Sequence, residues 1–478
     1  MRRLAARVFT RPGSRFRGIP PAAFFATVSI LFGTAIALLT PPLRGPDESA
    51  HFLRAYGIAR GDIVPSVVDQ EGRKGVFLTA EVYEGFAYFD ALQQMRRGAS
   101  FSYWDALEEY WNSHEVTARA DNFPARVFVR YAGSEGYNPV PYLPHVVAAW
   151  AAQLIGLEFL ASFYLMRLAG LLAVTAIITY ALVIAPRLHW AFLSIAMIPA
   201  ALYGRAVINP DGSVLAYSIA VTVLWLHASI FPRQNRSLAQ AVWLCLCTLS
   251  KPPQIVFASL PAATGTWREA LRSWRRILAV VTPAVSLSLL WIVLSGGDVA
   301  AWRLAELSGT PSEQFSIVWK LGFLSQQPWH FPKALLGTLQ QGGELWRQLI
   351  GVLGLFDVVL RTWTYPVLTA LLLASWVIPI DVPAAVGRRL ILVAGLTASA
   401  YIFAIFAIFY LVWTPVQTDE IWGVQGRYFI PALPLLAIAA AATANFKISA
   451  VAPAAALAGA IISGVACIEA ILRVDWNW

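Results

Sequence analysis

Residues 19–39 read IPPAAFFATVSILFGTAIALL, an uncharged apolar stretch running from Ile19 to Leu39. A helix over it would reach about 30 Å, the thickness of the hydrocarbon core of a bilayer. Arg2, Arg3, Arg7, Arg11, Arg15 and Arg17 precede it. By the positive-inside rule that flank holds the amino terminus in the cytoplasm. Ala35-Ile36-Ala37 has the small-x-small form of a cleavage site, so a cleaved signal peptide is the competing reading. The stretch is long for a signal-peptide core, which favours an uncut helix.

Ten further stretches repeat the pattern: Val140–Leu157, Phe163–Ile184, Trp190–Val207, Val214–Phe231, Leu238–Ala262, Ile277–Leu294, Trp363–Ile380, Leu390–Trp413, Tyr428–Ala444 and Ile448–Leu472. About eleven spans make this an all-α polytopic membrane protein. Composition agrees, with 58% of the 478 residues hydrophobic and 13% charged, outside the range of soluble domains. Counting parity from a cytoplasmic amino terminus puts Arg268, Arg272, Arg275, Arg276, Arg388, Arg389 and Lys447 inside. The same count leaves Arg187, Arg233 with Arg236, and Arg427 outside. The net charge of +9 is therefore mostly topological, and nucleic acid is not an expected partner. Cys245, Cys247 and Cys467 all lie in apolar runs and offer neither a disulfide framework nor a zinc site.

Parity divides the chain into a cytoplasmic amino terminus (1–18), the first span (19–39), an extracytoplasmic loop (40–138), spans two to seven (139–294), a second extracytoplasmic loop (295–362) and the last four spans (363–478). Of the 27 acidic residues, 14 lie between Asp47 and Glu135. A loop of that length is more than a connector. Its stretches Phe86–Met95 and Tyr103–Trp111 read as short interfacial helices.

The first loop opens with Pro41-Pro42-Leu43-Arg44-Gly45-Pro46-Asp47-Glu48-Ser49-Ala50-His51-Phe52-Leu53-Arg54. Pro46 is placed to start a helix with Asp47 and Glu48 in its first turn. On that helix Asp47 and His51 are i,i+4, Glu48 and His51 i,i+3, and His51 and Arg54 i,i+3, so carboxylate, imidazole and guanidinium share a face. Acids after a proline are also ordinary helix-start chemistry. His51 and Arg54 at the mouth of a long loop are what that reading leaves unexplained. Asp47 or Glu48 is the candidate base, with His51 and Arg54 as candidate substrate contacts. Two ligands at helical spacing, Asp47 and His51, are a weak signal for a divalent metal, so no cofactor or metal is expected.

At the loop's far end stands Tyr137-Asn138-Pro139-Val140-Pro141-Tyr142-Leu143-Pro144. Helix-entry prolines account for most of it, and Tyr137, Asn138 and Tyr142 are candidates for lining a sugar pocket. Gln425-Gly426-Arg427-Tyr428 precedes the tenth span. The Arg427 guanidinium suits a phosphate fork or an interfacial anchor, with Gln425 and Tyr428 beside it. Asn209-Pro210-Asp211 and Ser250-Lys251-Pro252-Pro253 carry charge into apolar surroundings, a functional signal by default. Parity puts Asp211 near the cytoplasmic face, away from the outer loops; pairing of Arg205, Asp211 and Lys251 stays open. The second loop offers Lys320, Lys333, Arg347 and Arg361 among tryptophans, which fits a lipid-phosphate site and a membrane-surface anchor equally.

Taken in order, Pro46-Asp47-Glu48 with His51 and Arg54, Tyr137–Pro144, Asn209-Pro210-Asp211-Gly212, Ser250-Lys251-Pro252, Gly351–Asp357 and Gln425-Gly426-Arg427-Tyr428 before Pro431 and Pro434 resemble the DUF2142 family of bacterial membrane proteins. That family is similar in arrangement to the GT-C superfamily of membrane glycosyltransferases. The resemblance implies sugar transfer from a polyprenyl-phosphate donor to a glycan, lipid or protein acceptor, in a multi-pass protein among the lipids of the bacterial cytoplasmic membrane, on its outer face. It places the acidic position on Asp47, with Glu48 beside it. It implies that Arg427 and Lys333 hold the leaving lipid phosphate. The competing classes are a glycan or lipid transporter using Asp211 and Lys251, and a non-catalytic subunit of an envelope assembly.

Overall fold

The computed structural model describes residues 20–95, 102–116, 125–232, 236–264, 267–295, 305, 308–380, 382–416, 418–443 and 451–478. The arginines at 2–17, Arg233 and Lys447 lie outside the described residues. The first span is α1 (Pro21–Leu39). It is followed by α2 (Glu48–Ala59), which starts two residues beyond Pro46; Asp47 caps it in the left-handed conformation, at φ 52°.

The remainder of the first loop forms a small layer on the face where α1 ends. Strand β1 (Gly75–Thr79) pairs antiparallel with β2 (Arg126–Arg130), Gly75 opposite Arg130 and Thr79 opposite Arg126. Helices α3 (Ala80–Met95) and α4 (Tyr103–Val116) meet through Phe89, Tyr103 and Tyr110. Phe52, Phe86 and Phe159 extend that aromatic core, so the two amphipathic helices bury one side against protein.

Val140–Leu157 is not a span. It folds as a 3-10 turn and α5 (Leu143–Leu154), whose 12 residues reach about 18 Å, short of the hydrocarbon thickness. His145 Nδ1 meets the Met166 carbonyl at 2.9 Å, laying α5 antiparallel along the start of α6 (Phe159–Ile184). Arg167, in the early turns of α6, donates to the carbonyls of Ala37, Thr40 and Pro41 at the end of α1. Helix α6 thus starts on the face where α1 ends and carries the chain away from it.

The chain returns through a broken pair, α7 (His189–Met197) and α8 (Pro199–Ala206), because Pro199 cannot continue α7. The buried Arg205 donates to the carbonyls of Ala196 and Ala201 at the break and to Ser29 Oγ on α1. Next comes α9 (Asp211–Ile230), buried along nearly its whole length and apolar on all sides, as a central helix must be. Helix α10 (Ser237–Ser250) stops at Lys251, which turns extended before Pro252. The 3-10 segment after it runs back: Gln254 reaches Tyr401 and Ser259 reaches Thr397. After α11 (Trp267–Arg272), α12 (Trp274–Ser295) runs parallel to α10, since Arg276 meets Gln240 and Thr248 meets the Ala284 carbonyl.

Three short helices, α13 (Ile317–Gln326), α14 (His330–Gln340) and α15 (Gly342–Gly351), lead into a hairpin of β3 (Val352–Leu353) and β4 (Val358–Val359). The last helices are α16 (Thr364–Ser375), α17 (Ala384–Val412), α18 (Leu433–Thr443), entered by the 3-10 stretch Gly426–Ala432, and α19 (Val451–Asp475). Lys320 donates to the carbonyls of Tyr410 and Leu411 at the end of α17, fixing α13 there. Among the described residues seven helices are long and apolar enough to cross a membrane. The other four of the eleven candidate stretches, Val140–Leu157, Trp190–Val207, Leu238–Ala262 and Trp363–Ile380, are short or broken.

Candidate functional site

Adjacent carboxylates at the start of α2 have different surroundings. Glu48 is fully buried. Its Oε1 accepts from Arg167 Nε and the Ile208 N–H, both at 2.8 Å. Its Oε2 accepts from Arg167 Nη2 at 2.6 Å and the Gly45 N–H at 2.8 Å. Four donors fill both oxygens, leaving no lone pair directed at a substrate. The Asp47 side chain is 64% exposed and its Oδ2 stands 3.6 Å from Arg427 Nη2. The left-handed backbone at Asp47 turns its side chain away from its neighbour's.

The Ile208 contact brings Asn209-Pro210-Asp211 to the same face, which overturns the placement of Asp211 near the opposite surface. Because Val140–Leu157 does not cross, each later boundary shifts by one until the reversal after Lys251 restores the count. Asp211 Oδ1 lies 2.5 Å from Lys251 Nζ, and Oδ2 lies 3.2 Å from Arg427 Nε. A row results: Asp47, Arg427, Asp211, Lys251. Aromatic rings wall it, with Lys251 4.8 Å from the Tyr428 ring and 5.8 Å from Tyr137, and Arg427 5.2 Å from Phe356 and 5.3 Å from Tyr428. Arg205 does not join; its donors serve the α7–α8 break.

Arg427 reaches the row because Gly426 lies against the backbone of α15, where a Cβ would collide with the Leu345 carbonyl. The Gly426 N–H donates to Gln348. Arg427 faces two carboxylates at ion-pair distance, and among the described residues its Nη1 is a buried donor lacking a hydrogen-bond partner, as Gln425 Oε1 is a buried acceptor lacking one.

His51 forms the wall next to Asp47, its Nδ1 2.7 Å from the Tyr142 hydroxyl and its ring edge-on to Tyr137. Burial, with Lys251 and Arg427 close by, outweighs the pull of Asp47 and holds the imidazole pKa down to about 4. His51 is therefore neutral near pH 7. Burial likewise pushes the Tyr137 hydroxyl up to about 12. Arg54 serves a different end: its guanidinium donates to the carbonyls of Asp62, Ile63 and Tyr137, tying α2 to both ends of the first loop. Asn138 Oδ1 accepts from the Val140 N–H and closes the turn before α5. Lys333 pairs at 2.7 Å with Asp419, both well exposed.

The site also includes residues that sequence reasoning passed over. Arg167 is the single charge in Phe163–Ile184, and an isolated intramembrane arginine was signal enough. Phe356 lies in the Gly351–Asp357 stretch, but nothing in that stretch marks it as a cover for Arg427: its ring reaches the guanidinium because the β3–β4 hairpin turns at Gly354 and Phe356, both in the left-handed region. Arg44 is buried between Asp475 at the end of α19, 3.1 Å away, and Asp357 in the same hairpin. Among the described residues there is no group of three or more His, Cys, Asp or Glu side chains that could hold a metal ion. The row offers an exposed carboxylate in reach of an entering group and two cations for an oxyanion.

No curated protein matches the chain in sequence. The crystal structure of ArnT from Cupriavidus metallidurans bound to undecaprenyl phosphate is similar, with 15% identity and a TM-score of 0.36, over 89% of this chain. This chain spans 60% of the length of that one. Residues 30–436 match the family described as "Predicted membrane protein (DUF2142)". That match covers most of the 478 residues, and the chain belongs to the DUF2142 membrane-protein family.

Proposed function

We propose that this protein is a membrane glycosyltransferase that moves a sugar from a polyprenyl-phosphate donor to an envelope glycan, lipid or protein acceptor. The observation that carries the reading is the row Asp47–Arg427–Asp211–Lys251, open at Asp47 and walled by Tyr137, Tyr428, Phe356 and His51. In the reaction an acceptor hydroxyl attacks the anomeric carbon while the bond from that carbon to the phosphate oxygen breaks. The hydroxyl proton goes to Asp47, and the negative charge gathering on the departing lipid phosphate is held by Arg427 and Lys251. Single displacement inverts the anomeric centre. Glu48 is not assigned the base, since four donors fill its oxygens, and Lys333, paired with Asp419, is not assigned to the phosphate.

Orientation follows from charge. Arg187 and Arg236 follow helices that run away from the row, and Arg268, Arg272, Arg275, Arg276, Arg388 and Arg389 lie toward the same end. A surface collecting these arginines is the cytoplasmic one. The row then opens on the outer face of a bacterial cytoplasmic membrane, where lipid-linked sugars are available and nucleotide sugars are not.

The test is incubation of the purified protein in nanodiscs with a panel of polyprenyl-phosphate sugars and a glycan acceptor, following release of the free lipid phosphate. Asp47→Asn should lower release by about 10²- to 10⁴-fold. Release by that variant equal to wild type would remove Asp47 as the base. A transporter using Asp211 and Lys251 would instead move labelled lipid across the bilayer with no bond broken.

A further inference from the structure

Asp211 occupies the position an incoming phosphate would want. Its two oxygens face Lys251 at 2.5 Å and Arg427 at 3.2 Å, the same two cations that the glycosyltransferase reading assigns to the lipid phosphate. Asp211 is fixed there from below, at the first turn of the buried α9, by an N–H bond to Asn209 and by the neighbouring Ile208 N–H on Glu48. Asp47, by contrast, is well exposed. Arg427 Nη1, buried and lacking a partner among the described residues, is a donor that Asp211 does not satisfy.

We propose that Asp211 is a resident counter-ion that competes with the ligand's phosphate for Lys251 and Arg427, keeping the two cations apart and preformed while limiting the affinity for a phosphate monoester headgroup. This rests on the glycosyltransferase reading in so far as the ligand is a lipid phosphate. The balance of charge makes the role specific. With Asp211 ionised the two cations are matched by Asp47 and Asp211, and an entering phosphate adds repulsion from both carboxylates. Neutralising Asp211 removes the nearer repulsion and leaves Lys251 and Arg427 with Asp47 as their one carboxylate, a net positive charge in poorly hydrated surroundings where Coulomb attraction is strong. Loss of this acid should therefore tighten binding, the opposite of what loss of an ordinary ligand contact does. Product release would slow in parallel, since the counter-ion also helps expel the free lipid phosphate.

The experiment is calorimetric titration of the full chain in phosphatidylcholine nanodiscs with farnesyl phosphate and, separately, inorganic phosphate. Asp211→Asn and Asp211→Ser should each bind farnesyl phosphate about tenfold or more tightly than wild type, and Arg427→Gln about tenfold more weakly. The gain should be the same for inorganic phosphate, because it depends on headgroup charge alone. Should the neutral variants be scarce, farnesyl phosphate should raise their melting temperature more than that of wild type. Binding by Asp211→Asn equal to or weaker than wild type, or a gain confined to farnesyl phosphate, overturns the counter-ion role and leaves the transferase reading standing. Absence of any phosphate binding by wild type overturns both.

Discussion

His51 lies beside Asp47 as a buried wall of the row. Helical spacing put it beside Asp47, and it is there, but the imidazole is buried against Tyr142 and Tyr137 and kept neutral. Its pKa is depressed from 6.5 to about 4, so below pH 6.5 the unfolded chain takes up a proton that the folded protein refuses. Stability attributable to His51 is thus full above about pH 6.5 and lost as pH falls toward 4, by at most about 3 kcal/mol. The melting temperature of wild type should drop more steeply over that window than that of His51→Gln; matching slopes would show the imidazole to be exposed. Side-chain chemistry made Asp47, His51, Arg427, Asp211 and Lys251 legible as residues of interest. Arg54 and Asn138 were legible only as polar groups, because nothing in their spacing tells a backbone-binding guanidinium or a turn-closing amide from one that binds a ligand.

Elements come next, and the Glu48–Arg167 pair shows how they are joined. Arg167 gathers the last carbonyls of α1, while Glu48 gathers the N–H groups of Gly45 and Ile208, one flanking each acid of the row. Removing one partner leaves the other charge buried and uncompensated, at a cost of about 3–5 kcal/mol. Glu48→Leu or Arg167→Met alone should therefore sharply lower the melting temperature in detergent, and the double variant should recover part of the loss. If the double variant is no better than the singles, the pair acts as two independent hydrogen-bonding groups. The sequence announces the two ends of this brace unequally: Glu48 sits in a motif, whereas its partner is 119 residues away. Helix breaks fared similarly. Pro199, Pro252 and Pro253 lie in plain view within apolar runs, yet a hydropathy window averages over them and returns a single span.

For the molecule as a whole, apolar character established the membrane class, and the failure was one of counting. Val140–Leu157 is apolar enough to cross yet packs back along α6, where its own His145 sits beside Met166 and Gly170. One missed reversal set Arg187 and Arg236 at the opposite end from Arg268–Arg276 in the parity count and Asp211 at the same end, whereas the helix path, with a second reversal after Lys251, gathers those arginines at one end and leaves Asp211 at the other. The path predicts that in a background with the three native cysteines replaced by alanine, Gln70→Cys is labelled by an impermeant maleimide added to intact cells, whereas Pro232→Cys is labelled only after the membrane is opened. Labelling of Pro232→Cys from outside would return the chain to the simple parity count. The Arg44–Asp475 bridge gives this path a calendar. It joins positions 431 residues apart, and at ordinary translation speed the guanidinium waits on the order of tens of seconds for the ribosome to deliver its carboxylate. Through that interval the first loop is made while the hairpin over Arg427 comes later and α19 later still, so Arg44 lacks its Asp475 carboxylate until α19 has been made. Nascent chains stalled before the last helix should accordingly be the ones that quality-control proteases find.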